Sequence, residues 1–274
     1  FRGEGVPTTT VAIEEKHGKL TVVPTSERGS PPTNSENETR KLRNFNIPHL
    51  SRAARLRADE IQNVRAFGSL SELESMESLV NQRVAQKRLE LDLTEERMML
   101  AAIKGILVDA DDSVIYNYYT EFGVAAPAAV SFGFAAITQE NADNAVIEKK
   151  CMTIKRAMKK SLQGMATGNM QILALCGDNF FDALIGNAET RAPYKNWQAA
   201  GELKDRNLAY GTFRYGKILF INYEGDDGGA ASIGTDECRL FASNVPGLFD
   251  IYYAPADTFE FVNTLGLPRY VMPF

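Results

Sequence analysis

Ser69-Leu-Ser-Glu-Leu-Glu-Ser-Met-Glu-Ser-Leu-Val-Asn-Gln-Arg-Val-Ala-Gln-Lys-Arg-Leu-Glu-Leu-Asp-Leu-Thr-Glu-Glu-Arg-Met-Met-Leu-Ala-Ala-Ile-Lys104 contains neither glycine nor proline. It reads as one helix of about 35 residues, three times the ordinary length of about 11–12. At 1.5 Å per residue it would run roughly 50 Å, more than a domain core of this size needs. Leu73, Met76, Val80, Val84, Leu91, Met98 and Ile103 recur at three-, four- and seven-residue steps and predict one apolar stripe. Ser71 with Glu74 has capping-box spacing at the start, and Gly105 is a stop signal. The stripe wanders from a strict heptad, so a coiled coil is the weaker reading. A rod of this kind suits contact with neighbours better than a scaffold around a pocket.

The rest of the chain is ordinary in bulk. Its 274 residues are 44% hydrophobic and 24% charged, with a net charge of −5, the profile of one large soluble domain or two modest ones. The acidic balance argues against a dedicated nucleic-acid binder. No apolar run reaches the roughly 18–20 residues of a membrane span. The start, Phe-Arg-Gly-Glu-Gly, is neither an initiator Met nor a signal peptide, so the chain is expected to lack its true terminal residues. Cys151, Cys176 and Cys238 are odd in number and far apart, which predicts buried reduced thiols and no metal site.

Upstream of the rod, residues 8–13 and 19–23 are β-branched and short, and Glu14–Gly18 between them carries a turn signal. A hairpin is expected there, with Val11, Ile13, Leu20 and Val22 on its apolar face. Residues 24–46 read as a long polar loop. Residues 40–65 carry seven Lys/Arg against two acids, and Ser51 is placed to cap a short helix through Leu56. Downstream of the rod, strands are expected at 106–108, 113–119 and 124–131, and a helix at 144–163. A strand at 171–176 and a helix at 180–185 follow, then a loop holding Tyr194 and Trp197. Strands at 211–215, 217–223, 237–242 and 248–254 complete an α+β chain. Gly225–Gly229 is expected to be a flexible tip.

Catalytic patterns are missing. His17 and His49 have no second His or Cys at ligand spacing, and no phosphate-cradling glycine loop occurs. Asp226-Asp227 and Asp109, Asp111 and Asp112 read as solvated turns, since a calcium loop needs more ligands and a closing Glu. The basic segment 40–65 could contact phosphates. With an acidic chain behind it and Phe45 its only early aromatic, a protein partner is favoured.

The order of parts, together with four strings, carries a resemblance. The strings are Asn46-Ile-Pro-His-Leu-Ser-Arg-Ala-Ala-Arg-Leu-Arg-Ala-Asp-Glu-Ile-Gln62, Arg83-Val-Ala-Gln-Lys-Arg-Leu-Glu90, Glu95-Glu-Arg-Met-Met-Leu-Ala-Ala-Ile-Lys-Gly105 and Leu173-Ala-Leu-Cys-Gly-Asp-Asn-Phe-Phe-Asp-Ala-Leu184. Over nearly its whole length the chain resembles the lambda-type major capsid proteins of tailed bacteriophages, the capsid protein E group.

That resemblance implies a Hong Kong-phage-type capsid fold. Residues 1–9 would end an N-terminal arm, 10–65 would form the extended loop, and 66–164 the peripheral domain with spine helix 69–104. Residues 165–250 would form the axial domain, and 251–274 would return towards the periphery. It implies a non-enzymatic subunit without cofactor, assembling with itself into hexamers and pentamers around double-stranded DNA. Portal, scaffold or protease, and decoration proteins are further expected partners, with assembly in the host cytoplasm and residence in the virion. Val11, Ile13, Leu20 and Val22 would pack on a neighbour. Arg52, Arg55 and Arg57 would pair with acidic groups of another subunit, and Asp226 and Asp227 would lie near the capsomer axis. An encapsulin-like cargo compartment, a nucleic-acid binder using residues 40–65, and a hydrolase using His49 are the competing readings.

Overall fold

The computed structural model describes residues 1–17, 39–58, 76–162, 165, 168–202, 211–225 and 228–272; of 15–17, 39–40 and 200–202 it describes the backbone alone. Helix and strand mix as expected for α+β. The chain divides into two compact units, residues 1–51 with 247–274, and residues 52–246.

In the first unit the two ends of the chain meet. Strand β1 (Arg2–Gly5) runs parallel to β10 (Asp250–Tyr253), in register from Arg2 with Asp250 to Gly5 with Tyr253. Val6 N–H donates to Tyr253 O at 2.9 Å, and Gly266 N–H donates to Val6 O at 3.1 Å. Three backbones therefore pack side by side. A Cβ on Gly5 would collide with the Gly266 carbonyl, and one on Gly266 with the Tyr253 carbonyl, so both positions need glycine.

The same unit holds the hairpin, with a partner the sequence did not suggest. Strand β2 (Thr10–His17) pairs antiparallel with β3 (Thr39–Asn46), from Thr10 opposite Asn46 to His17 opposite Thr39. The expected turn at Glu14–Gly18 is therefore strand as far as His17, and the segment assigned to loop supplies the second strand. The proposed partner strand at 19–23, with Leu20 and Val22, lies outside the described residues.

The second unit begins with α1 (Met76–Ile103). Its predicted start and capping box lie outside the described residues. Gly105, at φ +83°, ends it in the left-handed conformation open to glycine. Strand β4 (Ile106–Val108) pairs antiparallel with β5 (Val114–Asn117). The strand expected at 113–119 stops there because the Asn117 side chain accepts from the amides of Tyr119 (3.1 Å) and Thr120 (3.3 Å). That cap starts α2 (Tyr118–Phe122). Residues 124–131 are not a strand: they are irregular and solvent-exposed, with Pro127 unable to donate to a ladder. Residues 51–57 are irregular as well, so Ser51 caps no helix there.

Strands β6 (Gln171–Cys176), β7 (Thr212–Tyr215), β8 (Ile218–Asn222) and β9 (Cys238–Ser243) make a four-stranded sheet ordered β7-β8-β6-β9. Strand β6 is parallel to β8 and antiparallel to β9. Helices α3 (Val146–Ser161) and α4 (Asp178–Gly186) contribute Ile147, Cys151, Phe181 and Leu184 to the core. The sheet supplies Ile172, Ala174, Cys176, Phe213, Ile218 and Phe220. Helix α5 (Arg191–Glu202) stands where a loop was expected. The buried Thr190 hydroxyl donates to Leu184 O just before it, Pro193 falls in its first turn, and Trp197 Nε1 donates to Thr212 O at 3.0 Å.

A distant carboxylate starts α3. Ala145, at φ +50°, offers no side-chain cap. Glu189 instead accepts from the amides of Ile147 (2.9 Å) and Glu148 (3.0 Å), and from the Tyr215 hydroxyl (2.9 Å). Burial, and then the bond to Glu189, push the Tyr215 hydroxyl well above its ordinary value.

Phe220 is fully buried and meets Phe132 edge-on at 6.5 Å. Phe220→Ala is expected to cost about 3–5 kcal/mol in urea unfolding; an unchanged midpoint would contradict this placement of the core.

Candidate interaction surfaces

The long helix is poorly covered by the other described residues. Of the 28 residues of α1, Ala101 is the one that is buried. The predicted stripe is partly wet, with Met76 64% and Val84 39% exposed. A second apolar ridge, absent from the sequence reading, is formed by Leu89 (69%) and Leu93 (67%). At 3.6 residues per turn Leu89 lies about 180° round the helix from Val80. The helix therefore carries apolar groups on opposite sides, the pattern of a helix enclosed by other elements.

What fixes α1 within its unit is largely polar and sits at its C-terminal end. Lys104 Nζ donates to Ala230 O (2.7 Å) and Ser232 O (2.8 Å). Arg97 pairs with Asp112, whose carboxylate also accepts from Ala230 N–H at 2.6 Å. Tyr223 donates its hydroxyl to Glu96 at 2.9 Å. Ala101, Val108 and Ala231 form a small apolar core between these bonds. The expected tip residues Asp226 and Asp227 lie outside the described residues, but both flanks of that loop are tied to α1.

Along the outer part of α1 the charges pair locally. Lys87 Nζ lies 2.7 Å from Glu90, and Arg88 lies 3.9 Å from Asp92. Arg52 Nε is 3.6 Å from Glu90, so this arginine has a partner within its own chain. The hydrogen bond from Lys87 holds the Glu90 carboxyl below its ordinary value, with a smaller contribution from Arg52. Arg55 and Arg57 are exposed and have no ion pair among the described residues.

The hairpin is a second surface with exposed apolar groups, although its Phe45 is buried. Val11 faces Phe45 and Ile13 faces Arg43, so Val11, Ile13 and Phe45 share one side. Ile13 is 37% exposed on that side, and Leu42 is 60% exposed on the other. An isolated two-stranded ribbon is marginal in water, and apolar groups on both faces require cover.

Among the described residues no group of His, Cys, Asp and Glu could hold a metal, and His49 is exposed. A surface cleft of about 700 Å³ is lined by Gly168, Asn169, Met170, Gln171, Asn244 and Pro246, with no titratable side chain.

The family model described as phage major capsid protein E matches residues 1–273. The chain belongs to that family. Two relatives agree. The major capsid protein of Pseudomonas phage KPP10 is 26% identical over 294 residues, spanning 98% of this chain and 81% of the relative. The major capsid protein of Salmonella phage Felix O1 is 23% identical over 306 residues, spanning 100% and 81%. The phage major capsid family is structural, so the chain is a virion structural protein and not an enzyme. Long apolar spacing pointed towards α1 in the sequence; nothing local marked Leu89 and Leu93 as a ridge.

Removing the Lys104 ammonium by Lys104→Met forfeits two charge-assisted bonds, a cost of about 2 kcal/mol. Amide exchange at residues 230–232 is expected to quicken, while exchange in β6 and β8 stays unchanged; equal exchange at 230–232 would refute the anchoring role.

Proposed function

We propose that this chain adopts a Hong Kong-phage-type capsid fold and assembles into hexamers and pentamers that close an icosahedral head around double-stranded DNA. The observation that carries the proposal is α1, a 28-residue helix with one buried side chain and exposed apolar groups on opposite sides. Burying Leu89 and Leu93 against neighbours is worth roughly 1.5–3 kcal/mol each. Repeated over symmetry-related contacts, such terms hold a shell whose individual interfaces are modest.

In this reading α1 is the spine of a peripheral domain at 66–164. The hairpin belongs to an extended loop at 10–65, and the four-stranded sheet to an axial domain at 165–250. Residues 1–9 close an arm, and residues 251–274 return towards the periphery. Val11 and Ile13 lay the apolar side of the hairpin on an adjacent subunit, with Leu20 and Val22 continuing it. Arg55 and Arg57 meet carboxylates of another subunit, where Arg52 can exchange its contact with Glu90. Asp226 and Asp227 lie at the capsomer axis. Assembly takes place in the host cytoplasm with scaffold, protease, portal and decoration proteins as candidate partners.

Electron microscopy of the full-length protein expressed with its scaffold and portal partners tests this. Closed shells tens of nanometres across, or rings of hexamers and pentamers, are expected; subunits that stay single under those conditions contradict the proposal. Leu89→Asp with Leu93→Asp is expected to abolish shells while circular dichroism of the subunit is retained. Arg55→Glu is expected to lower shell yield with the subunit still folded, and normal yield would remove the charge-pair role.

A further inference from the structure

Two of the three cysteines, 62 residues apart in the chain, meet in the sheet. Cys176 ends β6, Cys238 opens β9, and the antiparallel register sets them directly opposite each other. One step further along, Gly177 N–H donates to Glu237 O at 3.0 Å. Bonded and non-bonded pairs alternate along an antiparallel ladder, so Cys176 and Cys238 occupy a non-hydrogen-bonded pair with Cα atoms about 4.5 Å apart. A disulfide spans roughly 4.4–6.8 Å between Cα atoms. The two Sγ atoms lie 3.2 Å apart, sharing a hydrogen bond. Closing that gap to the disulfide length of about 2.05 Å needs only a small side-chain rotation. Cys176 is buried, while Cys238 is only partly so.

We propose that Cys176 and Cys238 are an oxidisable pair that closes into an intramolecular disulfide, with hydrogen peroxide as the oxidant. The Cys238 thiolate attacks one peroxide oxygen, the O–O bond breaks, and the departing oxygen leaves as water after taking up a proton. Cys238 is then a sulfenic acid. The Cys176 sulfur attacks the Cys238 sulfur, the S–O bond breaks, and the hydroxyl leaves as a second water with the Cys176 proton. Two thiols have lost two electrons and two protons, and one peroxide has become two waters.

The hydrogen bond with Cys176, and then burial, hold the Cys238 thiol well above its ordinary value. Thiolate is the attacking form, so the reaction quickens as pH rises. Cys151 lies on α3 and not in the β6–β9 ladder. It is fully buried in α3, and burial, then Glu189, push its thiol up to about 12. The bond would fix β9, an edge strand, to β6 and constrain the unfolded chain across α4, α5, β7 and β8. Only the timing rests on the capsid reading: the pair would fold reduced inside the cell and close after the particle leaves it.

The test uses the reduced full-length chain, treated with hydrogen peroxide, then denatured, alkylated, digested and weighed. A linked peptide joining Cys176 to Cys238, an intact mass lower by about 2 Da, and an alkylated Cys151 are expected. Formation should be faster at about pH 9 than at about pH 7. The link should vanish in Cys238→Ser and persist in Cys151→Ala. Three alkylated cysteines after peroxide, a link between separate chains, or a sulfinic acid at Cys238 would overturn the proposal on the unaltered protein, and none of these bears on capsid assembly.

Discussion

A 28-residue helix that buries Ala101 and no other side chain among the described residues is held by a core at its C-terminal base alone. Its residues explain why it forms: no glycine or proline interrupts it, and Ala, Leu, Arg, Lys, Gln and Glu dominate. They do not explain why it would persist with Leu89 and Leu93 in water. Isolated helices are marginal, and most helical stability in proteins comes from packing an apolar face. The exposed ion pairs along it contribute little. Among the described residues little covers Leu89 and Leu93, and the proposed assembly supplies that cover.

The remainder of the second unit supplies cover at one end. The sheet and its helices form a core of their own, closed by Phe213, Phe220, Ile147 and Leu184. Lys104, Arg97 and Tyr223 then join the base of α1 to the β8–β9 connection through polar bonds. Along the outer two thirds of the helix Met76, Val84, Leu89 and Leu93 are exposed. In the first unit the hairpin repeats the theme at smaller scale, with Ile13 and Leu42 exposed on opposite faces of a two-stranded ribbon. Both surfaces make sense for a phage major capsid protein, whose work is contact with its own copies.

Much of this was legible beforehand. Strand β6 reads as an unbroken apolar run, and its alternate residues Ile172, Ala174 and Cys176 are indeed buried. Helix α3 was visible from its spacing, and Gly105 marked the end of α1. The misses have a common origin in long-range pairing. Strand β3 carries Arg40, Lys41 and Arg43, which read as basic loop until β2 across the ribbon gives them a ladder partner. Helix α5 hides behind Pro193, although a buried Thr190 and a first-turn proline are start signals in retrospect. The run at 124–131 holds Val124 and Val130 but pairs with no strand among the described residues. The meeting of Cys176 and Cys238 follows from sheet order, which no local pattern encodes.

The central claim is that α1 is covered only in the assembled particle. Carbene footprinting of the free subunit and of purified particles reads this directly at Leu89 and Leu93. The account predicts heavy labelling of both in the free subunit and strong protection in the particle, with the already buried Phe220 unlabelled in either. Equal labelling of Leu89 and Leu93 in the two states would contradict it.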